Sequence, residues 1–220
     1  LCCAWYQITP DDDTIFPFLR HFIYSIQQQF PMFGQGLDGW DINLKFLNSE
    51  ALLQLAKQLV NELYKISKPF IIVLEDYHHV SHVFAINYVL NQLLYFLPKT
   101  VHIIVATRKM PEWDCLLSLR MNNQLIECLE HEFVFKKDDI QYLFEAHFER
   151  ALTDEECDFV MQMTEGWAMA IMLLGYKAKY SQEQLIDIAE GTVGNFFDFL
   201  SAEVFDKLDE RLQLQLLKLG

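Results

Sequence analysis

The sequence has few basic residues for its size, and this scarcity limits what the chain can bind. It contains 17 Lys plus Arg against 31 Asp plus Glu, which gives a net charge of −14 over 220 residues. An acidic surface repels phosphate backbones, whereas nucleic-acid-binding proteins gain affinity by releasing the counterions of those phosphates. We therefore expect this segment to bind neither DNA nor RNA directly.

Cysteine pairs and common catalytic motifs are also lacking. The five cysteines form no C-x-x-C pair and have no histidine at zinc-site spacing, so reduced thiols in a cytoplasmic protein are the simplest interpretation. The sequence contains neither G-x-S-x-G nor H-E-x-x-H, and no Cys–His dyad spacing is recognisable. Hydrolase and protease functions have no support.

No membrane-spanning run is evident. The longest stretch without a charged residue runs from Tyr77 to Pro98, but polar residues interrupt it throughout, so it predicts an amphipathic helix and no membrane partner. The composition is nevertheless 52% hydrophobic and only 22% charged, which excludes disorder as the main description.

What the first half does contain is an alternation of apolar runs with amphipathic stretches. This pattern is typical of a parallel sheet covered by helices, so the fold class is predicted to be α/β. The predicted strands are 1–8, 70–74, 101–106 and 125–128. The predicted helices are 15–30, 50–66 with Ser49 as N-cap, 83–97 and 113–120.

Beyond about residue 135 the strand signal disappears and helix signals replace it. A capping-box spacing at Thr153 and Glu156 opens one helix, and Gly166 lies just past its end. The predicted helices are 137–150, one from Thr153 to near Gly166, 167–178, one from 181 to about 191, and two within 193–219. We therefore predict an α/β domain over 1–135, a helical domain over 136–192 and a further domain that begins at 193.

One glycine-rich match is misleading. Residues 34–39 satisfy the G-x-G-x-x-G pattern of dinucleotide-binding proteins. In those proteins the motif connects a strand to a helix, so that the pyrophosphate meets the helix N-terminus. Here a predicted helix precedes the motif and no helix follows it directly, so we assign it no cofactor.

Two carboxylates follow the most apolar predicted strand. Glu75 and Asp76 come directly after the run Phe70–Leu74, at the strand end where open α/β sheets bind ligands. An apolar strand followed by paired acids is typical of a Walker B motif, in which one acid holds Mg²⁺ through water and a second polarises the attacking water. The alternative is a loop start with two solvated carboxylates.

A cation follows the next predicted strand. Arg108 comes after Val101–Ala106, and adjacent parallel strands would bring it near the phosphates of a nucleotide bound at Glu75 and Asp76. The alternative is a surface arginine at a strand exit. The nearby His78, His79 and His82 lack further ligands at zinc spacing, so we expect them in a loop or at a helix cap.

The segments Lys68–His78 and Val101–Pro111 together indicate a protein family more specifically than either segment does alone. In this combination the chain resembles the signal-transduction ATPase module of the MalT-like, or large LuxR-type, transcriptional activators, a STAND-class family of P-loop NTPases. Further matching pieces occur in the same order along nearly all of the chain: Ala4-Trp5-Tyr6, Asp11-Asp12-Asp13, Leu119-Arg120, Leu125-Ile126-Glu127, Phe133-Val134-Phe135, Thr164-Glu165-Gly166-Trp167 and Phe199-Leu200-Ser201-Ala202-Glu203-Val204.

The resemblance implies a cytoplasmic ATP/ADP switch with Mg²⁺. Nucleotide would be trapped between the α/β domain and a helical lid, an inducer would open the protein toward self-association, and a separate C-terminal domain would bind DNA. It implies Glu75 and Asp76 as catalytic acids that hold Mg²⁺ through water, and Arg108, Gly166 and Trp167 as nucleotide contacts. It also implies a winged-helix-like domain that begins within 193–220.

The chain departs from the family in two respects. Glu75 stands where the family usually has Asp, and its extra methylene changes where the carboxylate can reach, which matters for the strict geometry of Mg²⁺. The family's G-x-x-x-x-G-K-[ST] loop and its first strand do not occur in the sequence, and neither do the sensing repeats and the DNA-binding domain. We therefore expect a fragment that is itself inactive, from a parent that is at most a slow ATPase.

Two alternatives remain beside the nucleotide switch. A degenerate relative could serve as a protein-interaction adaptor without hydrolysing ATP, and Glu75 is the only hint of this. A dedicated metabolic ATPase or kinase has less support, because no substrate-binding motif accompanies the two acids.

The resemblance also implies that the family's first strand lies between 101–106 and 125–128. Without it we expect a gap of one strand width, about 10 Å, between those two strands. Direct hydrogen bonding between them would contradict this strand order.

Overall fold

The chain divides into two units. The structure is a computed structural model that describes residues 2–37, 48–180 and 185. The first unit ends at Ile126 and the second begins at Glu127. A separate hydrophobic core lies in each unit.

Three short apolar runs form the parallel sheet of the first unit, in the order β1-β2-β3. The strands are β1 (Cys2–Gln7), β2 (Phe70–Glu75) and β3 (Val101–Val105). Phe70 is paired with Cys2 on one side and with Val101 on the other. The middle strand is buried through Ile72, Val73 and Leu74, as its unbroken apolar sequence predicts. The α/β class with a parallel sheet is thus confirmed, and it is consistent with a P-loop NTPase-like fold.

Four helices of the first unit are described, and each lies close to its predicted position. They are α1 (Ile15–Gln27), α2 (Ser49–Tyr64), α3 (Phe84–Tyr95) and α4 (Cys115–Met121). The predicted N-cap of α2 is wrong by one residue. Asn48 is the cap, and its Oδ1 accepts a hydrogen bond from the backbone N–H of Ala51 at 2.8 Å.

The predicted strand over 125–128 is wrong, because these residues form no strand. Ile126 is 90% exposed, whereas Leu125 packs against the core of the first unit. A strand needs a neighbouring ladder of hydrogen bonds, and among the described residues β3 pairs only with β2. The direct pairing that would contradict the expected strand order is therefore not found in the described part of the chain.

In the described residues of the second unit, every regular element is a helix. Its helices are α5 (Lys137–Phe148), α6 (Asp154–Thr164) and α7 (Ala168–Tyr180). The predicted capping box is confirmed: Thr153 Oγ1 accepts from the N–H of Glu156, and Glu156 Oε2 accepts from the N–H of Thr153. The core between these helices includes Ile140, Phe144 and Val160. The predicted helices from 181 onward and the winged-helix-like start lie outside the described residues.

The first two glycines of the 34–39 motif lie in a turn that packs against α2. The motif follows α1 and not a strand, and residues Gln35–Leu37 form a short 3-10 helix. The backbone N–H of Gly34 donates to Oε2 of the buried Glu62 on α2 at 3.1 Å. This contact gives the turn a structural explanation.

A bilayer-spanning helix needs about 20 largely apolar residues. The helices within the described residues offer no stretch of that length and character.

Candidate functional site

The carboxyl end of the sheet brings together the acids and the loop that carries Arg108. Glu75 is the last residue of β2 and pairs in register with Gln7 of β1. On the other side, the N–H of Ala106 donates to Leu74 O at 2.9 Å, and the N–H of Tyr77 donates to Ala106 O at 3.0 Å. The loop after β2 and the loop after β3 therefore start from one rigid hydrogen-bonded edge.

The carboxylate of Glu75 is held by an indole on the neighbouring strand. Trp5 Nε1 donates to Glu75 Oε2 at 3.0 Å. Because Trp5 pairs with Val73, Glu75 lies diagonally across from it on the same face of the sheet. Only one carboxylate oxygen takes part in this contact, so Oε1 keeps its capacity to accept from a water or a ligand.

Asp76 occupies a backbone conformation that is unusual for a residue with a side chain. Its φ is 56° and its ψ is 37°, in the left-handed region, which costs roughly 1–2 kcal/mol. The next residue, Tyr77, is fully buried and fixes the chain direction. The Asp76 side chain is 40% exposed at the strand end, where its carboxylate is accessible to a ligand.

The ring of His78 lies beside Asp76. His78 Nδ1 is 3.8 Å from Asp76 Oδ1, and it is buried without a hydrogen-bond partner in the described part of the protein. Burial lowers the pKa of His78, the charges of His79 and Arg108 lower it further, and Asp76 opposes them. Arg108 follows β3, in the loop that starts from the same sheet edge as the two acids.

Gly166 and Trp167, the other predicted nucleotide contacts, lie in the second unit. Gly166 has a φ of 76°, and its carbonyl accepts from the N–H of Phe135 at 2.9 Å. Trp167 is 41% exposed. A close backbone contact therefore explains the glycine, and the assignment of both residues to a nucleotide site stays a prediction.

Sequence reasoning missed Trp5 as part of this edge. A strand pattern places Trp5 on β1, but only the register between β1 and β2 shows that it lies diagonal to Glu75. Within the described ranges, no three His, Cys, Asp or Glu side chains are arranged to hold a metal ion by themselves. A cation here would need a ligand from outside this set, such as a phosphate.

Comparison with known proteins gives one consistent result. No protein-family model matches the sequence. The HTH-type transcriptional regulator MalT of Yersinia pestis (strain Pestoides F) is 23% identical over 219 residues, which are 98% of this chain and 24% of that protein. The MalT protein of Klebsiella pneumoniae (strain 342) matches with the same identity and coverage. The chain spans about a quarter of the length of these relatives, and it is similar over nearly its whole length to MalT-type regulators, which confirms the resemblance found in the sequence.

Proposed function

We propose that this chain is the nucleotide-binding regulatory part of a cytoplasmic transcriptional regulator, in which an ATP/ADP switch controls self-association. The observation that carries the proposal is the carboxyl end of β2. Glu75, the left-handed Asp76 and the unpartnered Nδ1 of His78 lie at this sheet edge, and Arg108 follows the neighbouring strand β3 at the same edge. Open α/β sheets bind phosphate-containing ligands at this position. The similarity to MalT supports the regulatory role.

The residues present fit Mg²⁺ with a nucleotide. Mg²⁺ prefers oxygen ligands, keeps several waters and commonly bridges one or two carboxylates to phosphate oxygens. Glu75 Oε1 and the accessible Asp76 carboxylate offer such oxygens. When bound, the ion would supply charge neutralisation at the phosphates.

The chain's own residues would bind and orient the nucleotide and its water molecules. Glu75, oriented by Trp5, would help to hold the hydrated ion, and Asp76 would orient a water toward the phosphate. Arg108 offers guanidinium donors to the phosphate oxygens. The assignment of Gly166 and Trp167 to nucleotide binding rests on the family resemblance alone.

The remaining functions of the whole protein fall to parts outside this chain. With a net charge of −14, the segment is unsuited to bind DNA, so DNA contact falls to a separate domain. Inducer recognition is likewise assigned to other domains.

The test is magnesium-dependent ATP binding by the full-length protein. Glu75→Gln and Asp76→Asn keep side-chain size and remove one charge each, so we expect each to lower ATP affinity in Mg²⁺ at least about tenfold while affinity in EDTA changes little. Glu112→Gln, an exposed acid, is the matched control and should behave like the wild type. If both test variants bind Mg·ATP as the wild type does, the Walker B assignment is wrong.

A second candidate is a non-hydrolysing interaction adaptor. The observation that favours it is the Trp5 hydrogen bond, which occupies one oxygen of an acid that is already longer than the family's usual Asp. An adaptor would bind its protein partner equally well with and without ATP and Mg²⁺. Nucleotide-dependent self-association would exclude it.

A further inference from the structure

A largely buried polar network joins the two loops at the carboxyl end of the sheet. Tyr77 OH donates to Asn87 Oδ1 at 2.7 Å, and Trp113 Nε1 is shared between Asn87 Oδ1 at 3.0 Å and Tyr77 OH at 3.2 Å. The Tyr77 and Trp113 rings meet edge to face, with centroids 5.1 Å apart. These side chains come from the loop after β2, from α3 and from the loop after β3.

The amide of Asn87 is fully used, and this fixes its orientation. Its Oδ1 accepts from Tyr77 and Trp113, while its Nδ2 donates to the carbonyls of Ser81 at 2.7 Å and Val83 at 3.0 Å. If the amide were flipped, its NH₂ group would face the Trp113 N–H donor and its oxygen would face the carbonyl oxygens of Ser81 and Val83. A fully satisfied polar network in a core specifies one arrangement of the groups that it joins.

The network is connected directly to the proposed site. Tyr77 follows Asp76, and its backbone N–H donates to Ala106 O, two residues before Arg108. Trp113 is 7% exposed and closes the far end of the loop that carries Arg108. The first peptide of α4 is fixed in the same way, since the N–H of Cys115 donates to Oδ1 of the buried Asn91 at 3.0 Å.

We propose that Tyr77, Asn87 and Trp113 are positioning residues that hold Asp76 and Arg108 in a fixed relation to each other. The proposal rests on the nucleotide-binding function inferred above. None of the three side chains needs to touch the nucleotide. They affect binding through the two loops that they connect. The effect of a Trp113 substitution on nucleotide affinity should therefore depend on whether Arg108 is present.

The binding test uses the full-length protein, Mg²⁺ and a fluorescent ADP analogue. Trp113→Phe keeps an aromatic ring and removes only the N–H donor. We expect it to weaken ADP analogue binding about fivefold, and we expect the same change in an Arg108→Ala background to have no further effect. Phe22→Leu, a buried change in α1 outside the network, should leave affinity unchanged in both backgrounds. An equal loss in both backgrounds, or no loss in either, would overturn the positioning role.

Amide exchange tests the same proposal without nucleotide. Trp113→Phe and Asn87→Leu should each speed exchange at the N–H groups of Tyr77 and Cys115 about tenfold, with β1 amides unchanged. If the wild type binds no ADP analogue but these amides respond, the proposed function fails and the network's positioning of the two loops stands. If the amides do not respond, the positioning proposal itself is wrong.

Discussion

Trp5 Nε1 and Glu75 Oε2 are joined by a 3.0 Å hydrogen bond across the β1–β2 pair. The contact is diagonal, because Trp5 pairs in register with Val73, two residues before Glu75. Groups that orient a ligand-binding carboxylate commonly affect metal affinity without contacting the metal. The indole therefore orients the Glu75 carboxylate without contacting a bound ion.

We expect Trp5→Phe to weaken Mg²⁺ affinity about threefold in the nucleotide-bound full-length protein, since the freed carboxylate must be ordered on binding. Stability should change by less than about 1 kcal/mol, because Trp5 is 59% exposed. A magnesium titration at fixed ATP measures the first effect and urea unfolding the second. Tyr64→Phe, an exposed aromatic on α2, is the control. Equal magnesium affinities for wild type and Trp5→Phe would show that the indole has no orienting role.

Asp12 anchors the turn that connects β1 to α1. Its side chain is buried, and it accepts hydrogen bonds from Thr9 N at 2.8 Å, Thr9 Oγ1 at 3.1 Å and His21 Nδ1 at 2.7 Å. Burial alone would raise the pKa of the Asp12 carboxyl, but the hydrogen bonds from Thr9 and His21 outweigh it and hold the pKa below its usual value. Folding therefore favours the ionised form.

This carboxylate should make stability depend on acid pH. Because the folded pKa is lowered, its contribution is complete above the unfolded pKa of about 3.9 and is lost as the pH falls through the folded value. We expect Asp12→Ala to cost about 2 kcal/mol of unfolding free energy near neutral pH and progressively less below about pH 4. Urea unfolding of both proteins across that range checks this. A cost that stays constant into strong acid would contradict it, and the exposed Asp13→Ala should show little cost at any pH.

Local sequence features predicted the helices and the paired strands because their signals are local. Apolar runs and helical spacing predicted every described strand and α-helix within a few residues, and the spacing of Thr153 and Glu156 predicted the capping box. Apart from the N-cap of α2, the failures concern contacts between distant segments. The segment 125–128 has a strand-like composition but no described neighbour, and the Trp5–Glu75 contact depends on a register that no single segment encodes. The same holds for Asn87, whose partners come from loops on either side of it in the chain.

The turn after α6 contains two consecutive residues with positive φ. Glu165 has a φ of 50° and Gly166 a φ of 76°. A Cβ at Gly166 would collide with the carbonyl oxygen of Phe135 and a methyl group of Val134, whereas Glu165 already carries its side chain in this conformation.

We expect Gly166→Ala to destabilise the second unit by about 2–4 kcal/mol, because the left-handed penalty adds to a clash with backbone. Glu165→Gly relieves a left-handed conformation, so it should be neutral or stabilising by up to about 1 kcal/mol. Thermal unfolding of the two variants measures both effects. A mild Gly166→Ala phenotype, similar to that of Glu165→Gly, would show that the turn adapts and that the glycine has another role.

The outer edge of β3 can be identified residue by residue. The C=O of Thr100 and the N–H of Ala106 bond to β2, and the C=O of Ala106 accepts from Tyr77, two residues beyond the end of β2. Peptide groups alternate along a parallel strand, so those of His102 and Ile104 also face β2, whereas those of Ile103 and Val105 face the other side. In the described part of the chain no strand pairs with that side. Ile103 and Val105 are half-buried, and a buried unpaired N–H or C=O costs about 1–3 kcal/mol.

We therefore expect a further parallel strand from elsewhere in the full-length protein to pair with β3. If so, the amides of Ile103 and Val105 should exchange with solvent about as slowly as that of Ile104 in the full-length protein. In residues 1–220 alone they should exchange at least about a hundredfold faster than Ile104, because Ile104 alone of the three has a ladder partner among the described strands. Hydrogen exchange read out residue by residue by NMR distinguishes the two situations. Fast exchange at Ile103 and Val105 in the full-length protein would show that β3 is a true edge strand, and the strand order implied by the family resemblance would then be wrong.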